Sequence, residues 1–181
     1  RFLGLVTGLA IGESTLLAEV GHLTTTLTVT SYPLTGPVIS GPHQRPFICQ
    51  TDAFVLPDGS RLGPASDEHC SARTVVQYVY RPTTVTDPAR PFRPLANPRV
   101  LPADVATTTT VTGATVNFVV RVETGTMNRG IYQNVVLHDP TVEPPPAPWS
   151  PPKGWNHRLI AMHGSGCPGG WYIQGAALGV N

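Results

Sequence analysis

The sequence predicts a mainly β chain, in which the end of a small β-sandwich precedes the opening strands of a second, larger sheet. Glycine and proline supply 18 and 20 of the 181 residues, which suits short strands joined by rigid turns. Charged residues make up 13% of the chain, which leaves little material for the polar faces of long amphipathic helices. Several segments alternate apolar and polar residues with a period of two, the pattern of a half-buried strand.

This organisation divides the chain into three segments. We expect residues 1–32 to be the end of an immunoglobulin-like β-sandwich domain. Residues 33–105 are expected to form a connector, because proline and glycine turn signals interrupt every apolar run there. Residues 106–181 are expected to hold the first strands of the next domain and a glycine-rich loop.

A hairpin is predicted in the first segment. Two strand-length runs, 15–20 and 23–30, flank Gly21-His22, a dipeptide suited to a tight turn. In the second run one face carries Leu23, Thr25, Leu27 and Val29, and the other face carries only threonines. Because two strands alone are marginally stable in water, the pair either continues strands that precede it or docks on later residues of the chain.

The three cysteines bear on the connector and on the cellular compartment. Cys49 and Cys70 flank a polar loop and favour a disulfide, worth about 3 kcal/mol by loop entropy, over two buried free thiols. Cys167 is left over, and it either stays free or pairs with a cysteine outside this chain. A composition rich in Pro and Thr and poor in Lys favours a secreted or periplasmic protein. The start Arg1-Phe2-Leu3 lacks the features of a secretory signal, so we expect a processed or truncated product.

Later strands are predicted from further apolar runs. Residues 74–80 are apolar on both faces and predict a buried strand, and a second proline-rich connector spans 81–102. After 107, alternation predicts a strand over 116–123, a turn region from Gly125 to Gly130 and a strand over 131–138. A proline-dense loop, 141–152, then leads into a predicted strand over 158–162.

The most informative stretch comes directly after that last strand. An apolar run ends in His163-Gly164-Ser165-Gly166-Cys167, and Pro168-Gly169-Gly170-Trp171-Tyr172 continues the chain. A His-Gly-x-Gly loop after the third strand is how an α/β-hydrolase builds half of its oxyanion hole from backbone N–H groups. Small residues are required because the developing O⁻ must come within about 3 Å of main-chain nitrogen. Gly164, Ser165, Gly166 and Cys167 are therefore the candidate catalytic loop, and 106–181 reads as the start of an α/β-hydrolase sheet.

The glycine loop has other interpretations. The same residues match Gly-x-Gly-x-x-Gly, but Pro168 removes a donor that pyrophosphate binding needs. A purely structural glycine turn stays open. His163 is expected to support the loop by hydrogen bonding rather than to act as a base. Trp171 and Tyr172 either line a substrate pocket or pack the next segment of the chain on the sheet.

Several classes of function are disfavoured. A net charge of +1 with scattered basic residues gives no field for nucleic acid, and no apolar run reaches the length of a membrane span. His69 beside Cys70 has no partners at zinc-ligand spacing, so neither a metal nor a cofactor is expected. A Gly-x-Ser-x-Gly nucleophile elbow does not occur in these residues.

From about Thr26 onward the chain resembles a family of large bacterial secreted proteins. Their α/β-hydrolase-like domain has no known function and is similar to tannases and feruloyl esterases. The resemblance rests on the segments 32–43, 46–49, 123–132, 154–156 and 166–172. It implies a later Gly-Cys-Ser-Gly-Gly elbow, an acidic residue and a His, none of which can be placed in this sequence. Relatives commonly carry Gly-Gly-Gly-Cys where this chain has Gly164-Ser165-Gly166-Cys167, a change that keeps the backbone donors.

The predicted function is therefore the N-terminal segment of an extracellular serine hydrolase, an esterase or amidase acting on a small-molecule or polymeric substrate. Its nucleophile, acid and base would come from a C-terminal catalytic segment or a second chain, and Cys167 is the candidate for a disulfide to that partner. The rival hypothesis is a non-enzymatic, extracellular, β-rich binding or scaffold module.

Overall fold

A computed structural model of the chain describes residues 6–33, 45–161 and 173–175. These residues form eight β-strands in three antiparallel sheets, with no helix among them. The strands are β1 (Gly12–Val20), β2 (Leu23–Ser31), β3 (Val75–Tyr80), β4 (Arg93–Pro94), β5 (Thr107–Thr109), β6 (Thr115–Asn117), β7 (Val119–Met127) and β8 (Gly130–Leu137). The predicted mainly β class is confirmed. Within the described ranges the chain has no helix capable of crossing a membrane.

The predicted hairpin forms, with β1 and β2 paired over their whole length. Gly21 has a φ of 61° in the turn, a left-handed conformation that glycine adopts without a steric penalty. Cross-strand pairing puts most of the apolar side chains on one face, namely Leu16, Ala18, Val20, Leu23, Leu27 and Val29, whereas Leu17 lies on the other face opposite Thr26. Neither strand contacts any of β3 to β8 in the described part of the chain, so this face is not covered by them. The proposed domain boundaries stay a prediction.

A four-stranded sheet with the order β4-β3-β7-β8 is the largest sheet in the described part of the chain and is called the central sheet below. The strand predicted over 74–80 is confirmed as β3, which pairs with β7 from Val75↔Thr124 to Tyr80↔Val119, but only Val79 and Tyr80 are buried and Val76 is 43% exposed. The buried end of β3 is the part that has β4 on one side and β7 on the other, with an apolar cluster on each face.

Three small apolar clusters cover the sheet. Toward the β7–β8 turn, Ile131 packs with Leu56 and Leu62 from the loop closed by the cysteines. Further along, Val79, Val120 and Val122 pack with Phe92, Phe118 and Leu137. On the opposite face lie Tyr80, Leu95 and Val119, joined by Tyr78, Leu101 and Val105. The two proline-rich connectors are thus layers of the core rather than free linkers.

The strand predicted over 116–123 is wrong in one respect, because it is broken at Phe118. The Phe118 N–H donates to the Ala106 carbonyl at 2.7 Å, and its carbonyl accepts from the Arg81 N–H at 2.9 Å. This residue therefore carries the chain from the small β5-β6 sheet to the central sheet. Alternation continues through the break, which is why the sequence pattern reads as one strand.

The turn predicted over Gly125 to Gly130 is shorter than expected. β7 runs to Met127, and the turn consists of Asn128 and Arg129, with φ values of 47° and 68°. Two successive positive φ values are typical of a type I′ hairpin turn. Gly125 lies within the strand opposite Tyr132, where a Cβ would come within 2.8 Å of the tyrosine hydroxyl.

The strand predicted over 158–162 does not form in the residues that are described, 158–161. Leu159 and Ile160 are 90% and 83% exposed. An apolar run forms a strand only beside a hydrogen-bonding neighbour, and no described strand pairs with this segment. Met162 lies outside the described residues.

Candidate functional site

The loop predicted to be catalytic lies outside the described residues. This holds for His163, Gly164, Ser165, Gly166 and Cys167, and for Trp171 and Tyr172. The structure does describe the segments on either side, 153–161 before the loop and Ile173–Gly175 after it. The structure therefore describes the frame to which the loop is attached, namely these two flanking segments and the residues that bind them.

Main-chain hydrogen bonds fix the segment directly after the loop. Ile173 forms a parallel bridge with Ile48, and the Gln174 N–H donates to the Ile48 carbonyl at 2.8 Å. The Gly175 carbonyl accepts from the Ile131 N–H, at the start of β8, at 3.0 Å. The three residues are thus bound to a loop of the connector and to the central sheet at once.

The Gln174 side chain adds two hydrogen bonds. Its Oε1 accepts from the Gln50 N–H at 2.9 Å, and its Nε2 donates to the Cys70 carbonyl at 3.1 Å. The residue is only 5% exposed. A buried amide with both ends paired is a stable arrangement, whereas an unpaired one would cost about 1–3 kcal/mol.

The two partners of Gln174 belong to one covalently closed loop. The predicted disulfide between Cys49 and Cys70 is confirmed, with the Cα atoms 5.2 Å apart. Cys70 is fully buried and has a φ of 59°. The disulfide loop, residues 49–70, therefore presents the Gln50 N–H and the Cys70 carbonyl side by side.

Local hydrogen bonds shape the end of the disulfide loop. Asp67 Oδ1 accepts from the His69 N–H at 2.9 Å and from the Ser71 N–H at 3.0 Å. Burial acts to raise the pKa of Asp67, but the hydrogen bonds from Ser71 and His69 outweigh it and the pKa is lowered. The adjoining Ala72 N–H donates to Thr126 Oγ1 on β7 at 2.9 Å, which joins this end to the central sheet.

The β7–β8 turn also contacts the segment beside the disulfide. The Arg129 guanidinium lies 3.4 Å from the centre of the Phe47 ring, a cation–π arrangement. Arg129 is 8% exposed, and burial is the main cause that lowers its pKa. The turn, the disulfide loop and residues 173–175 consequently meet at one end of the sheet.

On the other side of the loop, the proline-dense segment is held by His138. Its Nε2 lies 2.9 Å from the Pro144 carbonyl and its Nδ1 lies 3.1 Å from the Tyr78 hydroxyl. A carbonyl only accepts, so Nε2 carries the proton, and in the neutral imidazole Nδ1 is then the acceptor for the Tyr78 hydroxyl. Burial raises the pKa of Tyr78, which keeps this phenol protonated and able to donate.

Asp139, the next residue, also holds the start of the proline-dense segment in place through its hydrogen bonds. Its Oδ1 accepts from the Thr141 N–H and hydroxyl at 2.9 and 2.6 Å, and its Oδ2 accepts from Asn117 Nδ2 at 2.7 Å. A cleft of about 220 Å³ borders this carboxylate. Because Oδ1 is engaged in a turn and Oδ2 is bonded to the end of β6, the carboxylate serves the fold there.

Sequence reasoning does not find Gln174. It lies between Ile173 and Gly175 with no motif around it, and only a polar residue after an aromatic and apolar run marks it. The sequence pattern places His138 merely at the end of a strand. In the described ranges no group of three His, Cys, Asp or Glu residues is placed to hold a metal.

Comparison with known proteins gave one family. A family model described as "Tannase-like family of unknown function (DUF6351)" matches residues 1–181. No curated protein and no solved structure gave a match.

Proposed function

Because the chain belongs to this tannase-like family of unknown function, we propose that it is the N-terminal part of an extracellular or periplasmic serine hydrolase acting on ester or amide bonds. The family match over residues 1–181 is the observation that carries the proposal. The Cys49–Cys70 disulfide supports the compartment, because such bonds persist in oxidising surroundings.

In this proposal the glycine loop stabilises the tetrahedral intermediate. The main-chain N–H groups of Ser165, Gly166 and Cys167 donate to the oxyanion, and Gly164 shapes the turn. His163 supports the loop, while Trp171 and Tyr172 line the pocket for the substrate. The nucleophile, acid and base lie outside residues 1–181.

The frame to which the loop is attached supports such a role. Donors of an oxyanion hole work because they are held in place before the reaction, and one lost donor costs about 3 kcal/mol in kcat. The residues after the loop are bound by main-chain and side-chain hydrogen bonds to a disulfide-closed loop and to β8. A loop attached to so rigid a base is suited to preorganised donors.

The proposed partner is a C-terminal catalytic segment or a second polypeptide, to which Cys167 is tethered. Mass spectrometry of the intact protein without reduction tests the tether. A species that on reduction either loses the mass of a second polypeptide or gains the mass of hydrogen on newly freed thiols, and whose Cys167 is alkylated only after reduction, supports it. A Cys167 that is alkylated without prior reduction eliminates it.

A second candidate is a non-enzymatic binding or scaffold module. The observation that favours it is the apolar face of the β1–β2 hairpin, where Leu23 and Leu27 are 76% and 61% exposed. Exposed apolar surface of this kind is typical of a surface that meets a partner.

A fluorophosphonate probe separates the two proposals, because it reacts with activated serines. The intact protein is treated with the probe and the modified peptide is mapped. The hydrolase proposal expects one labelled serine outside residues 1–181, and prior heat denaturation should abolish the labelling. Absence of labelling in the folded protein would leave the binding module as the better account.

A further inference from the structure

We propose that the outer edge of β8 pairs with a further β-strand, and that this strand belongs to the C-terminal catalytic segment. The identity of the partner rests on the proposed hydrolase function. The proposal deepens that function, because it assigns the surface through which residues 1–181 join the rest of the enzyme.

Hydrogen bonds at the two ends of β8 show which of its residues bond to β7. The His138 N–H, directly after the strand, donates to the Val119 carbonyl at 3.0 Å. In an antiparallel pair every second residue bonds to the neighbouring strand, so the even-numbered residues of β8 bond to β7. The odd-numbered residues point to the outer side, and the Ile131 N–H accordingly donates to the Gly175 carbonyl at 3.0 Å.

The middle of this outer edge is open. Gln133 and Val135 are odd-numbered residues inside β8, so their N–H and carbonyl groups point outward. Within the described ranges no strand pairs with β8 on this side. Asn134 and Val135 are both exposed, Val135 to 51%. Backbone donors and acceptors in a row along such an edge form a template for another strand.

The opposite edge of the central sheet is protected, whereas the edge at β8 is not. Natural sheets protect their edges with short strands, charges and proline, because a long regular edge pairs with other strands. The opposite edge strand, β4, consists only of Arg93 and Pro94, and Arg93 forms an ion pair with Asp104 at 3.3 Å. β8 is eight residues long and contains neither proline nor a charged residue. Its sequence therefore suits a strand with a neighbour on each side.

The size of the open stretch indicates which strand occupies it. Gln133 and Val135 offer hydrogen bonds along about five residues of β8, roughly 17 Å. A stable interface between separate proteins buries about 1,600 Å², far more than two short strands cover edge to edge. A strand of the same polypeptide pairs at a high effective concentration and does not need such an area. A segment joined to this chain is therefore favoured over a second copy of it.

The surroundings of Val135 indicate the chemistry of the partner strand. Val135 lies opposite Val122 of β7, which is 1% exposed, on the same face of the sheet. A strand beside β8 would place a side chain next to Val135 on that face, and apolar cross-strand pairs stabilise a sheet. We therefore expect the partner strand to carry an apolar residue beside Val135.

Amide hydrogen exchange in the intact protein tests whether the edge is paired. Asn134 is the internal reference, because its N–H bonds to β7 whether or not a further strand is present. The Gln133 and Val135 amides should exchange within about tenfold of the rate at Asn134, since a neighbouring strand protects them. Exchange at both amides more than about tenfold faster than at Asn134 would overturn the proposal.

A photo-cross-link identifies the strand. p-Benzoylphenylalanine is incorporated at position 135 of the intact protein, where the exposed side chain leaves room for it. The cross-linked peptide should come from outside residues 1–181 of the same molecule. The same group in place of Val76, which is 43% exposed on β3, is the matched control and should not label that peptide. A cross-link from position 135 within residues 1–181 or to an isotope-labelled second copy, or no cross-link, would overturn the assignment.

Fluorophosphonate labelling judges the hydrolase function separately. A protein that labels at a serine, but whose Gln133 and Val135 amides exchange as an open edge does, would retain the proposed function and overturn the strand. A protein that does not label, but in which position 135 cross-links outside residues 1–181, would retain the strand and overturn the hydrolase.

Discussion

The β1–β2 hairpin and the central sheet have the same local pattern and opposite surroundings. Both are antiparallel, and in each at least one strand, β2 in the hairpin and β7 in the central sheet, alternates apolar with polar residues. Leu27 on the hairpin is 61% exposed, whereas Val122 on β7 is 1% exposed. Alternation therefore specifies a strand and its two faces, while burial depends on which other segments of the chain cover one face.

The difference lies in the connectors. The disulfide loop brings Leu56 and Leu62 onto one end of the central sheet, and the second proline-rich connector brings Leu95 onto its other face. The hairpin receives no such cover from the strands that are described. The irregular segments thus decide which sheet has a core.

The largest expected effect comes from placing a charge in each region. Val122→Asp should destabilise the protein by about 4 kcal/mol or more, because an unpaired carboxylate would be buried in the core. Leu27→Asp should change the free energy of unfolding by less than about 0.5 kcal/mol, as surface substitutions do. Denaturant unfolding of both variants measures the contrast, and a similar loss in both would refute it.

Removing the disulfide should come next. Cys49→Ser with Cys70→Ser should lower the free energy of unfolding by about 3 kcal/mol, because the unfolded chain regains loop entropy. Asp52→Asn, an exposed substitution within the disulfide loop that leaves both cysteines in place, serves as the control and should cost less than about 0.5 kcal/mol. Thermal unfolding with and without reductant gives the measurement. A double variant as stable as wild type would show that the loop holds its shape without the bond.

A smaller effect is expected at the close approach in β7. Gly125→Ala should cost about 2 kcal/mol, because the new Cβ would lie 2.8 Å from the Tyr132 hydroxyl and 3.0 Å from Thr74 Oγ1. Adding Tyr132→Phe removes the hydroxyl but keeps the ring carbon Cζ, 2.9 Å from the new Cβ, and should therefore recover only part of the loss. Equal losses in the single and double variants, by denaturant unfolding, would place the strain elsewhere.

The smallest effect concerns pH. Burial acts to raise the pKa of Asp139, but hydrogen bonds from Thr141 and Asn117 outweigh it, so the pKa is lowered. A lowered pKa in the folded state contributes stability that is complete above the unfolded value, about 3.9, and is lost as pH falls through the folded value. Asp139→Asn should therefore cost about 1 kcal/mol near pH 7 and progressively less below about pH 4. Unfolding curves across this range check it, and a gap that does not change with pH would contradict it.

Much of the fold could be predicted from the sequence because its signals are local. The hairpin with its Gly21-His22 turn, the strand 75–80 and the Cys49–Cys70 disulfide follow from alternation, turn residues and spacing. The break at Phe118 could not be predicted in this way, because both sheets meeting there accept the same alternation. Residues 158–161 do not form the predicted strand for a related reason, since an apolar run cannot supply its own neighbour.

The frame of the candidate site was beyond sequence reasoning. Gln174 is recognisable as an anchor only in the folded chain, where its side-chain amide bonds to the Gln50 N–H and the Cys70 carbonyl. Both partners are far away from it along the chain. His138 likewise depends on the approach of Tyr78 and Pro144. Non-local pairing of this kind produces no recognisable pattern in the sequence. The glycine loop, in contrast, is recognised from consecutive residues, His163-Gly164-Ser165-Gly166.

The turnover of an activated ester by Gly166→Pro, compared with Gly166→Ala, tests the proposed oxyanion loop most directly. Proline removes the main-chain N–H at this position, while alanine keeps it and likewise replaces glycine with a residue that carries a Cβ. We expect kcat of the folded proline variant to fall by about a hundredfold or more relative to the alanine variant. Equal turnover in the two folded variants would contradict the claim that this N–H stabilises the oxyanion.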